Sequence, residues 1–190
     1  MIKHALAAAA LAALFTAPAF ASETVIAPFT TPDGAITTGT YDNIVQITVS
    51  GVGQSLGTDF NDAFYVYTDG SGNPVPPFND PSFYQLMFGT TTLVPLDPAQ
   101  DIKNFLVGPI PAFDSGHTYT FDINTGVSTP TQLHFGVSDG DFADNSGAFT
   151  VTIAQVPEAS TWAMMLLGIA GLAFAAANRS RGSRSWSEVG

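Results

Sequence analysis

The 190-residue chain contains no cysteine. Disulfides, thiolate metal sites, thiol catalysis and thiol redox switching are therefore excluded. A secreted domain of this size still buries a workable core without cross-links. Basic residues are almost as scarce. Between residues 22 and 156 there are fourteen acids, Glu23 and thirteen Asp, against the single base Lys103. Such a field repels nucleic acid and anionic lipid, so neither is expected as a partner of this region. It attracts cations, and it equally keeps a protein soluble outside a cell. Long apolar runs are absent from the interior of the chain as well. They lie near its two ends.

One of them belongs to MIKHALAAAALAALFTAPAFA, residues 1–21. Lys3 supplies a positive start, residues 5–15 an apolar stretch, and Ala19-Phe20-Ala21 a small-x-small cleavage site. That layout is a secretory signal peptide, too short to be kept as a spanning helix, and it predicts a mature protein starting at Ser22. The other is a run of seventeen uncharged, mostly apolar residues at 161–177. At ~1.5 Å per residue it makes a helix of roughly 25 Å, the short end of what spans a bilayer. Trp162 opens it, and Arg179, Arg181 and Arg184 follow it. An indole suits the membrane interface, and basic residues just past an apolar span stay on the cytoplasmic side. The pattern predicts a C-terminal transmembrane helix with the domain outside the membrane.

The turn Val156-Pro157-Glu158, the apolar STWAMMLLGIAGL and the arginines after it resemble the PEP-CTERM sorting signal of Gram-negative bacteria. The resemblance covers residues 156–184: a motif at 156–160, a membrane helix at 161–177 and a basic cluster at 179–184. It implies recognition by an exosortase, a membrane transpeptidase that cuts near the Pro-Glu pair. It also implies an association with the cell surface and exopolysaccharide. Two features depart from the pattern. Ala159 stands where the motif has its second proline, and residues 185–190 form a tail beyond the arginines.

Residues 22–155 read as short β runs separated by turn chemistry. Strands are expected at 43–50, 63–67, 83–88, 91–96, 102–107, 118–123, 132–137 and 148–153, with Gly, Pro, Asn and Asp clusters between them. Pro74, Pro76, Pro77 and Pro81 argue for a long irregular loop around 69–82. No convincing helical period and no internal repeat occurs between the two ends. The fold class expected is all-β: an antiparallel, jelly-roll-like β-sandwich as ectodomain.

Three patterns imitate catalytic or cofactor motifs. Gly136-Val137-Ser138-Asp139-Gly140 has the letters of the G-x-S-x-G nucleophile elbow, but another strand, not a helix, is expected after it. Gly51-Val52-Gly53-Gln54-Ser55-Leu56-Gly57 spaces its glycines as G-x-G-x-x-x-G and lacks the βαβ unit of a dinucleotide loop. His117 and His134 are the only histidines after the leader, and they do not form a short zinc-ligand pair. No catalytic residue is therefore assigned.

What remains is acid-rich. Asp139-Gly140-Asp141-Phe142-Ala143-Asp144-Asn145-Ser146-Gly147 places three carboxylates and an amide within seven residues. Calcium asks for six to eight oxygen ligands, which such a loop supplies in part. The same residues also make a solvated hairpin turn. Residues 132–153, QLHFGVSDGDFADNSGAFTVTI, resemble the last hairpin of PA-IL-type galactose-binding lectins and related jelly-roll modules. In those lectins the loop holds calcium, which ligates sugar hydroxyls. The resemblance implies Asp139 as the first side-chain ligand and Asp141 at a main-chain carbonyl ligand. It makes Asp144 and Asn145 adjacent side-chain ligands. The loop here is about two residues shorter, and no counterpart of the lectin's other sugar-contacting loop is evident. A second acidic cluster, Asp59, Asn61 and Asp62, precedes the strand expected at 63–67.

The resulting expectation is a secreted, surface-sorted, non-enzymatic protein with exosortase and the membrane as partners. Calcium is its expected cofactor and extracellular polysaccharide its ligand. Its rivals are a structural surface protein without a specific ligand, and a hydrolase dependent on Ser138.

Overall fold

The computed structural model describes residues 22–55, 57–79, 85–156 and 159–182, with helix side chains described over 164–176. The leader at 1–21, Pro157, Glu158, Arg184, the tail at 185–190 and the start of the strand expected at 83–88 lie outside the described residues. The chain divides into two units at Gln155 and Val156.

The first unit is all-β and antiparallel, as expected. Its strands are β1 (Ser22–Pro28), β2 (Ala35–Ile36), β3 (Ile44–Ser50), β4 (Gly53–Ser55), β5 (Asp59–Asn61), β6 (Val66–Thr68), β7 (Pro74–Phe78), β8 (Leu86–Gly89), β9 (Thr118–Asn124), β10 (His134–Val137) and β11 (Ser146–Gln155). Eight strands form one sheet in the order β7-β6-β5-β4-β11-β3-β9, with β1 also paired to β11. A three-stranded sheet, β2-β10-β8, completes the unit.

Side-chain alternation builds the sandwich. On β3, Val45, Ile47 and Val49 point inward while Gln46, Thr48 and Ser50 face out. Opposite them, Phe149, Val151 and Ile153 of β11 and Val25 and Ala27 of β1 are buried in the same core. The smaller sheet contributes Leu86, Phe88, Phe135 and Val137 to it. Fully burying each such large side chain is worth ~1.5–3 kcal/mol, which replaces the cross-links this chain does not have.

β11 is held on both sides. β1 runs along one edge from Ser22 opposite Ala154 to Pro28 opposite Ala148. Along the other edge, β3 pairs residues 150–155 and β4 pairs Ser146 and Gly147. Glycine permits this crossing. A Cβ on Gly53 would lie 2.2 Å from Cε1 of the Phe29 ring, and Gly147 adopts φ +97° with the Val52 carbonyl 2.6 Å from its Cβ position.

Several local expectations are corrected. The segment 91–96 forms no strand, and 102–107 contains a 3-10 turn, Ile102–Phe105, instead of a strand. The Asp101 carboxylate caps that turn by accepting from the Lys103 amide at 3.4 Å. The strand expected at 63–67 begins later, at Val66, because Asp62 folds the preceding residues into a tight turn. The Pro-rich stretch is not wholly irregular, since Pro74–Phe78 forms β7. Proline is tolerated there because β7 is an edge strand whose outer side needs no ladder donors.

The second unit contains the helix α1 (Ala159–Gly182), of 24 residues. It covers the predicted 161–177 span and carries the backbone of Arg179 and Arg181. Among the described residues, however, no helix is long and apolar enough to cross a membrane. The Met164, Leu166, Leu167, Leu172 and Phe174 side chains of α1 are exposed.

Glu23 ties the start of β1 to the next loop. Its carboxylate accepts from Thr38 N (2.6 Å), Thr38 Oγ1 (2.9 Å), Gly39 N (2.8 Å) and Tyr41 Oη (3.2 Å). Burial acts to raise its pKa, but these donors together hold it below the ordinary 4.5. A depressed carboxylate stabilises the fold above its unfolded pKa and loses that contribution as pH falls through the folded value. Glu23→Gln should therefore lower the melting midpoint at pH 7. The gap to the parent should close as pH falls below about 4, measured by thermal melts across pH.

Candidate functional site

The Asp-rich loop joins β10 to β11. Ser138 begins it, donating its amide to the Gln85 carbonyl at 3.2 Å. Asp139 is buried, with Oδ1 accepting from the Gly140 and Asp141 amides at 2.6 and 3.0 Å. Its Oδ2 accepts from Asn145 Nδ2 at 2.9 Å, and the same amide nitrogen donates to the Phe29 carbonyl at 3.1 Å. The Asn145 amide nitrogen thus lies between two oxygens, while its buried Oδ1 has no hydrogen-bond partner among the described residues.

Of the four expected calcium ligands, the fold brings together Asp139 and Asn145. Asp141 and Asp144 are exposed, and Asp141 caps its own turn by accepting from the Ala143 amide at 3.0 Å. Among the described residues no group of three or more His, Asp or Glu side chains gathers around a common point for a metal.

The G-x-S-x-G letters have a packing explanation. A Cβ on Gly136 would lie 2.6 Å from Leu93 Cδ1, and one on Gly140 3.1 Å from Leu96 Cδ1. The segment after Ser138 runs through turns into β11. Ser138 has no hydrogen bond to either His117 or His134 among the described residues. His134 sits on β10 between Ile36 and Gly89, and burial holds its pKa below the usual imidazole value.

The second acidic cluster separates into distinct parts. Asp59 and Asn61 belong to β5, and Asn61 Nδ2 donates to Ser55 Oγ at 3.4 Å. Asp59 also lines a cleft of about 430 Å³ with Val66, Thr68, Asp69, Val75, Pro76 and Phe78. Asp62 instead goes inside, with a side chain 0% exposed.

Asp62 organises a buried polar arrangement that reaches from the β5–β6 turn to β9. Its Oδ1 accepts the Phe64 and Tyr65 amides at 3.0 and 2.8 Å, which closes the turn between β5 and β6. Its Oδ2 accepts from Tyr119 Oη at 2.8 Å and from His117 Nδ1 at 2.9 Å. A carboxylate has no proton to give, so the His117 proton is on Nδ1, and in the neutral ring Nε2 is a free acceptor. The His117 ring stacks on Tyr67 with centroids 4.8 Å apart and 27° between planes. Phe113 meets it edge-on at 5.7 Å, and Phe60 lies 6.5 Å from Tyr67. Burial first, and then the Asp62 charge, push the Tyr67 hydroxyl up to about 12, so it stays protonated at neutral pH.

Sequence reasoning named His117 and Asp62 separately and missed their partnership. They stand 55 positions apart, and no local pattern links a turn residue after β5 to one before β9. Asp62→Ala removes the common acceptor of four donors. Leaving buried donors unpaired costs ~1–3 kcal/mol each, so a loss of about 3 kcal/mol or more is expected in urea unfolding. Asp59→Ala, outside that network, should cost less.

The comparisons with known proteins bear on the other end of the chain. Residues 155–181 match the family model of the PEP-CTERM protein-sorting motif. Such a motif directs processing by a sorting system for secreted surface proteins of bacteria, with exosortase as the processing partner. The chain has no match among curated proteins or among solved structures. The lectin resemblance of residues 132–153 accordingly stands on those residues alone, whereas the chain carries a PEP-CTERM sorting motif.

Proposed function

We propose that this is a non-enzymatic surface protein whose β-sandwich is exported and then held at the membrane by α1 until exosortase processing. The observation that carries the reading is the position of the sorting motif. Its match begins at Gln155, the last residue of β11, so the folded domain is joined to the sorting segment without a spacer. The exposed apolar side chains of α1 support the anchoring role, since lipid would cover them. Full-length protein should fractionate with membranes when processing is blocked. A chain ending at Gln155 should appear in the soluble exported fraction; equal partition of both would overturn the anchor.

The domain's proposed work is calcium-dependent binding of extracellular polysaccharide through the Asp139–Asn145 loop. Buried Asp139 and the unsatisfied Asn145 Oδ1 support it. Turning the Asn145 amide would offer Oδ1 beside the Asp139 carboxylate and the Phe29 carbonyl, three hard oxygens of the kind calcium takes. Asp141 and Asp144, exposed on the same loop, would add charge.

A plain structural surface role is the second reading. It is favoured by the fact that Asp139 already has three protein donors. Thermal melts of the full chain in detergent, with excess calcium and then chelator, separate the two. At a hundred times its dissociation constant a ligand stabilises by ~2.7 kcal/mol, a shift of several degrees. That shift should shrink in Asp144→Ala, whose exposed side chain leaves the apo fold intact. Identical melts in calcium and chelator would favour the structural role.

A further inference from the structure

We propose that the aromatic tier above Asp62 is a calcium-independent binding site for neutral saccharide, formed by Phe60, Tyr67, Phe113 and His117. This rests on the reading of the domain as an extracellular binding module, but not on the Asp139 loop.

The tier is fixed from below. Asp62 has no exposed side-chain surface, and both its oxygens are engaged, so the imidazole of His117 is held in one orientation and one tautomer. A binding group ordered before the ligand arrives does not pay that ordering on binding. His117 retains 24% side-chain exposure, and Phe60 and Phe113 are 38% and 37% exposed. Rings a quarter to two-fifths exposed on a rigid support present apolar surface for the C–H face of a sugar ring.

Polar groups accompany those faces. Among the described residues neither His117 Nε2 nor the Tyr67 hydroxyl has a hydrogen-bond partner. One is an acceptor and the other both donor and acceptor, which suits sugar hydroxyls. A purely aliphatic ligand would leave both unpaired.

The backbone also constrains this side chain. His117 adopts φ +49°, a left-handed conformation that glycine holds without strain, yet the adjacent Gly116 does not have positive φ. The turn therefore puts its left-handed residue at the imidazole, which fixes the backbone beneath that ring.

Charge narrows the ligand class. Fourteen acids against Lys103 disfavour anionic polymers, and Lys103 is already engaged with Asp101 at 2.6 Å. A cation would find the field attractive, but the rings pack against one another at 4.8–6.5 Å and enclose no cage for it. A neutral polyhydroxylated ligand matches both the exposed faces and the acceptor.

The test is affinity electrophoresis of the full chain in non-ionic detergent with chelator throughout. The gels contain a β-glucan, an α-glucan, a mannan or a galactan, with chitosan as the cationic control. Retardation by at least one neutral polymer is expected. It should weaken tenfold or more in Phe113→Ala and in His117→Asn, whose amide can still donate to Asp62 and which tolerates the left-handed backbone. Unchanged melting midpoints in both variants separate loss of the site from loss of the fold. A variant that melts early is replaced by Phe60→Ala, read in the same way. No retardation by any neutral polymer, or retardation that all folded variants retain, overturns the proposal. Retardation by chitosan alone that salt abolishes overturns it in favour of simple charge attraction. Retardation that appears only when calcium replaces chelator sinks this site and leaves the Asp139 loop standing.

Discussion

The fold depends on β11 being paired along both edges. The strand carries three of the core's inward side chains and contacts β1, β3 and β4, so strands from the beginning and middle of the domain meet on its last segment. No cross-link supports this arrangement, because the chain has no cysteine. The hydrophobic core and the two ladders carry it. Glycine at 53 and 147 is part of the same constraint, because the Phe29 ring and the Val52 carbonyl occupy the space a side chain would need.

An acid-rich domain has to decide which carboxylates to bury. Most stay in solvent, where Asp69 and Asp114 cap turns by accepting backbone amides. The buried ones each have a specific answer. Asp101 pairs with Lys103, though burial still raises its pKa against that pull. Asp139 takes two amides and the Asn145 side chain. Asp62 takes four donors and becomes the support of an aromatic surface. A buried charge survives only with such saturation, which makes these sites rigid, and rigidity is what a binding site requires.

The continuity of β11 with the sorting motif links folding to sorting. Gln155 ends the strand, its side chain donating to the Asp42 and Ile44 carbonyls at 3.0 and 3.1 Å, and the motif match starts at that residue. A segment read by a processing enzyme thus follows directly on the part of the domain with the most ladder partners.

Proximity along the chain separates what could be read in advance from what could not. The sorting motif was legible because turn, apolar run and basic cluster are contiguous and each acts through its own composition. The strands expected at 43–50, 118–123, 132–137 and 148–153 were legible in outline, the first from its apolar alternation and the rest as short β runs between Gly, Pro, Asn and Asp clusters. β7 was hidden by its prolines, whose acceptability depends on an edge position that no local pattern reveals. The 3-10 turn at 102–105 was hidden by apolar letters that also suit a strand. The Asp-rich loop was visible as a turn, but which of its acids would be buried was not. The union of Asp62 with His117, Tyr67 and Tyr119 had no sequence signal at all. Composition and contiguous pattern determined the all-β class, the absence of cross-links and the sorting motif, because those properties arise from neighbours along the chain. The buried polar arrangements around Asp62 and Asp139 were decided only when distant strands met, because hydrogen bonds and ring contacts depend on separation in space.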